Sequence, residues 1–250
     1  MDRVFDFHAR LTARPGALER LLAVMDECHI ERAAVSAGGV VDLDRLSRQI
    51  VYGGYVEADA DNDVVLAGCK ESGGRLLPFY FGNPHREPDD YRDRAADFRG
   101  LEISPAVHGV PLTDPRTTAL VEIAADHGHP VYVVPLGRAG VGISDLTVLA
   151  GKFPQVTFVL GHCGFVGIDT YAITCVAPKE NIVVETSGAF TLAVRVALER
   201  LGPDRVLFGT EHPLQHPSVE LAKLRSLELT EESSQKVAWR NAYRLLGEDT

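Results

Sequence analysis

Residues 156–164 read VTFVLGHCG, a nearly continuous apolar and β-branched run that stops at Gly161 and gives way to His162. A strand covered on both faces reads this way, because neither side meets water. The same pattern occurs at PVYVV (130–134), NIVVET (181–186) and DRVLFG (204–209). Parallel strands need long crossovers, and segments 142–152, 165–177 and 189–200 between these runs carry helical patterning.

The first half repeats the alternation. RVFDFH (3–8), RAAVSA (32–37), RLLPFYF (75–81) and RGLEIS (99–104) read as strands. PGALERLLAVMDECH starts a helix at Pro15, with Leu18, Leu21, Leu22 and Met25 on one face. RAAVSA is followed by a polar, glycine-marked loop, EADADNDVVLAGCKESG suggests a close-packed helix, and DDYRDRAADF a weaker one. Asp114 and Pro115 open the helix that Gly128 closes, and His127 and His129 at its end are expected to complement the dipole. Thr230 is set to cap a last helix that ends at Gly247.

Eight β/α units in 250 residues predict an α/β fold, a single-domain (β/α)₈ TIM barrel spanning 1–250 with an additional C-terminal helix. A doubly wound sheet is the competing architecture, but no GxGxxG follows the first strand. The net charge of −10 disfavours nucleic acid and anionic membranes as partners, and leaves a small-molecule substrate as the expected one. Cys28, Cys69, Cys163 and Cys175 form no CxxC pair, and no apolar run approaches the ~20 residues of a membrane span. The expected location is the cytoplasm.

Barrel active sites lie at the carboxyl ends of the strands. His8, Arg10, Ser36, Asn83, His85, Glu102, Ser104, His162, Cys163, Glu185, Ser187, Glu211 and His212 fall at or just beyond those ends. Arg10 is a permanent cation whose planar fork suits a substrate carboxylate or phosphate, and Glu102 could either salt-bridge it for structure alone or take part in the site. His162 or His8 could act as general base, with Glu211 as acid or as the group orienting a histidine. Cys163 reads as a buried filler.

FDFHAR (5–10) resembles the D-x-H-x-H opening of the amidohydrolase superfamily. FPQVTFVLGHCG, ENIVVETSGA, GPDRVLFGTEHP and NAYRLLG resemble segments of its amidohydrolase family two, the decarboxylase- and lactonase-like branch. The likeness covers most of the chain and is strongest from residue 95 onward. It implies a divalent metal, zinc or manganese, held by two histidines of strand one, a histidine ending strand five and an aspartate ending strand eight. Here His8 matches, but Arg10 replaces the second histidine, strand five ends VVPLG, and Glu211 stands for the aspartate.

A catalytic zinc needs about three protein ligands, and His8, His162 and Glu211 are the candidate metal set. The same three residues are the candidate catalytic set if the metal has been lost, with Arg10, Glu102, Asn83 and His212 expected to bind substrate. Three functions remain open: hydrolysis or its reverse, a cyclising dehydration, at a C–N or C–O bond by metal-independent His/Glu chemistry; nonoxidative decarboxylation, with or without metal; and a noncatalytic binding barrel closed by an Arg10–Glu102 pair. The resemblance also leaves a homodimer open.

Overall fold

The computed structural model describes residues 3–248. Its eight strands are β1 (Phe5–Leu11), β2 (Arg32–Ala37), β3 (Leu76–Gly82), β4 (Gly100–Ile103), β5 (Val131–Val133), β6 (Phe158–Leu160), β7 (Ile182–Glu185) and β8 (Val206–Leu207). Each pairs in parallel with the next in chain order. Backbone bonds from Phe7 to Phe208, from Glu211 to His8 and from Arg10 to His212 bring β8 back to β1, so a (β/α)₈ barrel results.

The continuous apolar runs are explained by two separate packing surfaces. Leu11, Val35, Ile103, Val131, Val133, Phe158, Leu160, Val184 and Val206 face outward into the layer shared with the helices. Phe5, Phe7, Ala34, Leu77, Phe79, Tyr132, Val159 and Leu207 fill the barrel interior. Burying each of these larger side chains contributes about 1.5–3 kcal/mol. The C-terminal helix Asn241–Leu246 adds Tyr243 edge-on to Phe5, with ring centroids 5.6 Å apart, and so covers the amino-terminal end of the barrel.

Several local expectations change. The loop after β2 contains the helix Leu43–Tyr52, capped by Asp42, which accepts from the Arg45 N–H at 2.9 Å. A further helix, Pro217–Arg225, starts at His216, whose ring nitrogen accepts from the Ser218 N–H. Segment 165–177 is helical only over Thr170–Val176. His129 does not serve the helix dipole as a cation. Its Nδ1 meets the Tyr91 hydroxyl at 2.7 Å, and burial, aided by His127, lowers its pKa to about 4. Thr230 does cap its helix. Among the described residues no helix is long and apolar enough to cross a membrane.

Candidate functional site

The site begins with an irregularity in β1. Asp6 lies opposite Ala33 and Ala9 opposite Val35, so β1 carries one residue more than β2 over this stretch. Such a bulge breaks the in–out alternation. Phe7 joins the interior cluster and His8, the next residue, also turns inward, its ring stacked on Tyr132 at 3.9 Å. Alternation then resumes, with Ala9 and Leu11 outward. Asp6 pins the bulge: its carboxylate accepts from the backbone N–H groups of His8 (3.1 Å) and Thr210 (2.9 Å) and from the Thr210 hydroxyl (2.5 Å). Burial raises its pKa to about 7.

Four side chains from three strand ends meet above Tyr132. The Arg10 guanidinium grips Glu102 with both terminal nitrogens (Nη1 to Oε2 3.1 Å, Nη2 to Oε1 2.8 Å), and its Nε donates to Glu211 Oε1 at 2.8 Å. The second Nη1 hydrogen reaches the Ala37 carbonyl. Nε2 of His8 faces Glu102 Oε2 at 3.1 Å, and Nδ1 is in ion-pair contact with Glu211 Oε2. Two cations and two carboxylates therefore balance.

The fields act in the expected directions. Burial penalises every charge here, yet Glu211 and then Glu102 outweigh it at His8 and raise its pKa to about 10. At Glu102 burial is outweighed by Arg10 and His8, lowering the pKa to about 2; Glu211 is likewise held well below the carboxylate range. Unit charges ~4 Å apart interact by ~4 kcal/mol even in a moderately screened site, enough to produce such shifts.

This arrangement does not fit a divalent metal. His8 Nε2 is taken by Glu102 Oε2, and Nδ1 stands against Glu211 Oε2 without a hydrogen bond and closer than two ligands of one ion can sit, which leaves no room for a metal between them. The Arg10 guanidinium lies between the carboxylates that would have to coordinate. His162 Nε2 is 4.0 Å from Glu211 Oε2, close enough to feel its charge. Among the described residues no group of three or more histidine, cysteine or acidic side chains is arranged to hold an ion. His8, His162 and Glu211 are neighbours, but they face one another through an ion pair.

His162 belongs to a second network that the sequence did not reveal. It sits just past β6 with φ of 59°, a left-handed conformation that costs a non-glycine residue of order 1 kcal/mol and redirects its side chain. Glu211, past β8, has φ of 55°. Ser187 Oγ donates to Glu185 Oε2 at 2.8 Å and so offers a lone pair to His162 Nδ1, also at 2.8 Å; the Ser187 carbonyl lies 3.1 Å from the same nitrogen. Both neighbours can only accept, so Nδ1 carries the proton. Nε2 is left facing the Arg10–Glu211 side, and the side chain is 24% exposed.

Glu185 is the hub beneath it, accepting also from the Tyr132 hydroxyl (2.8 Å), the Ser187 N–H (2.5 Å) and the His162 N–H (3.3 Å). Two glycines make room for this hub: a Cβ on Gly209 would sit 2.2 Å from Glu185 Oε1, and one on Gly161 2.5 Å from the Tyr132 oxygen. A carboxylate ending the apolar run IVVE was the available signal for Glu185; nothing in the sequence singled out Tyr132.

The remaining candidates lie apart from the ion-paired centre. Asn83 donates to the Glu57 carbonyl and Asp59 and accepts from the His85 N–H, which engages it in its own loop. His212 contributes its carbonyl to Arg10 N, while burial lowers the pKa of its ring. Cys163 is buried, as its reading as a filler requires, and burial raises its thiol pKa.

The fold has close structural counterparts. A 5-carboxyvanillate decarboxylase from Sphingomonas paucimobilis superposes with a TM-score of 0.73 at 18% identity, covering 100% of both chains. A 2,6-dihydroxybenzoate decarboxylase from Rhizobium gives 0.72 at 17%, covering 99% of each. A dihydroxybenzoic acid decarboxylase from Polaromonas, with bound manganese and 2-nitroresorcinol, gives 0.71 at 17%, covering 99% of this chain and 97% of that one. No curated protein matches the sequence. The family described as Amidohydrolase (family two) matches residues 5–247, from the bulged first strand to the glycine that ends the last helix, and the chain belongs to that family.

Proposed function

We propose that this chain is a lyase that removes carbon dioxide, nonoxidatively and without a metal, from a small carboxylated substrate. The observation that carries the reading is the state of His162: Nδ1 is fixed as a donor by Ser187, and Nε2 faces a partly open mouth. Decarboxylation breaks the bond between the ring or chain carbon and the carboxylate, and leaves the electron pair on that carbon. A positioned acid must then deliver a proton, worth typically 10²–10⁴-fold in rate. His162 would do so as the imidazolium, giving up its Nε2 proton and ending as the neutral Nδ1–H tautomer that Ser187 holds, and bulk water would return the proton.

Hydrolysis, the first expectation from the sequence, asks more of this site. It needs a base to activate water and an acid for the leaving group, and with Glu102 and Glu211 both spent on Arg10 and His8, His162 would have to serve as both. Carboxylates held ionised by two cations are weak proton acceptors. The decarboxylases that share the fold favour the same choice. Arg10 would orient the substrate carboxylate through its remaining Nη2 hydrogen, since Glu102 and Glu211 already match its charge.

One observation favours a second reading. The Arg10–Glu102 pair expected of a noncatalytic binding barrel is formed. The two readings separate on a panel of ortho-hydroxylated aromatic acids, 5-carboxyvanillate and 2,6-dihydroxybenzoate included, incubated with enzyme and EDTA in D₂O. The lyase predicts carbon dioxide release, deuterium at the vacated carbon, and a loss of ~10²-fold or more on His162→Ala. Binding of an acid without turnover, unaffected by that substitution, would establish the barrel as a binding protein instead.

A further inference from the structure

We propose that the Arg10 guanidinium is the resident cation of this barrel mouth, a covalently tethered replacement for a metal ion that closes the site to divalent cations. The inference does not depend on the reaction proposed above, because it is read from metal binding and unfolding without substrate.

The oxygen atoms carry the argument. Three of the four carboxylate oxygens of Glu102 and Glu211 accept from Arg10: Glu102 Oε1 and Oε2 from the two terminal nitrogens, and Glu211 Oε1 from Nε. The fourth, Glu211 Oε2, meets His8. That last oxygen makes no hydrogen bond, so a divalent ion would find one carboxylate oxygen unclaimed and the other three released only if the guanidinium leaves. The guanidinium is also held from outside the carboxylate pair, by the Ala37 carbonyl at 3.3 Å and by the Phe81 ring, whose centroid is 5.6 Å from Cζ. The guanidinium already brings a permanent positive charge to the two carboxylates, so a divalent ion added beside it would be repelled inside a buried site, at a cost that grows as the local dielectric falls.

Arg10 thus acts as an orienting cation that cannot dissociate. A planar fork grips two carboxylates in fixed geometry, which an ammonium or a hydrated ion would not reproduce. The position matters as much as the charge. Arg10 follows the bulge by two residues, and only the shifted alternation at Phe7 and His8 puts His8 and Arg10 on the inner face together.

The test begins with wild-type protein purified without a metal-affinity tag. Its metal content is measured, and MnCl₂ and ZnCl₂ are then titrated while thermal unfolding is followed, for wild type, Arg10→Ala and Arg10→His. Wild type is expected to hold less than about 0.1 equivalent and to show no rise in Tm with either ion. Removing the guanidinium should release the two carboxylates and tighten Mn²⁺ or Zn²⁺ binding by roughly a hundredfold, read as a Tm that climbs with ion concentration.

Millimolar guanidinium chloride should raise the Tm of Arg10→Ala and not of wild type, which marks the vacated place as one shaped for that ion. Arg10→His keeps a ring in the space and answers the metal question if Arg10→Ala does not fold. Near one equivalent of ion in wild type, or a metal-dependent Tm in wild type, overturns the proposal. So does a folded Arg10 variant that gains no metal response, since the exclusion would then come from elsewhere.

Discussion

Glu102 and Glu185 lie at the same mouth, both fully buried, and the protein surrounds them with different kinds of partner. Glu102 is matched by the formal charges of Arg10 and His8. Glu185 is matched by neutral dipoles: the Tyr132 and Ser187 hydroxyls and the backbone N–H groups of Ser187 and His162. The first environment fixes charges in place and leaves little to move. The second ends on a histidine whose outer nitrogen is free to exchange a proton. Framework and reactive group are thus separated across a few ångströms, and each prediction below strains one side of that division.

The largest effect should follow from breaking the framework. Glu102→Ala leaves Arg10 and His8 facing each other across an emptied, buried space, and removing one partner of a buried ion pair typically costs about 3–5 kcal/mol. Denaturant unfolding should show that loss. The change Glu185→Gln removes no counter-charge from a cation and turns one accepting oxygen, best the Oε1 that takes only the Ser187 N–H, into a donor, so it should cost less, about 1–3 kcal/mol. An equal loss from both would mean that Glu185 too is held chiefly by charge.

A pH titration separates the two sides without mutation. The pKa of His8 is raised from 6.5 to about 10, so its contribution is fully present below pH 6.5 and is lost as pH rises through 10. Asp6 has shed most of its own contribution by pH 7, because its raised pKa of about 7 favours the folded state only at lower pH. The buried thiols Cys69 and Cys163 act only above their ordinary 9.0. Between about pH 7.5 and 8.5 stability should therefore fall, by up to about 1.36 kcal/mol per unit, and His8→Gln should flatten the slope. A slope that survives the substitution would assign the proton to another group.

The division was only partly legible in the sequence. The eight strands were, because runs such as VTFVLG and IVVE are covered on both faces and leave no polar position to confuse the pattern. His8, Arg10, Glu102, His162 and Glu211 were legible as strand-end residues. What they do to one another was not: Arg10 meets Glu102 and Glu211 across 92 and 201 positions of chain. The bulge was hidden as well, since a period of two places Phe7 and His8 on opposite faces and only the pairing with β2 shows otherwise. The helix Leu43–Tyr52 was readable too: Asp42 caps it, and Leu43, Leu46 and Ile50 recur at helical spacing, with Leu46 and Ile50 packed on the core. Pro217, with Leu221 and Leu224 buried after it, was a helix signal that could have been read.

The smallest effect on stability should come from the group that joins the two sides, Ser187. Ser187→Ala removes one hydroxyl that donates to Glu185 and accepts from His162, and the loss should be on the order of 1 kcal/mol. Its effect on the reaction should be larger than that figure suggests. Without the hydroxyl the Ser187 carbonyl at 3.1 Å still accepts from Nδ1, but the imidazole loses the shorter of the two contacts that fix its tautomer and angle. On the lyase reading, kcat should fall by roughly tenfold with KM little changed, because an interaction that positions the proton donor matters most in the transition state. Ser187→Thr, which retains the hydroxyl, should restore part of the rate. A fall in stability with no change in kcat would make Ser187 a support for Glu185 alone, and would move the boundary between framework and reactive group up to His162 itself.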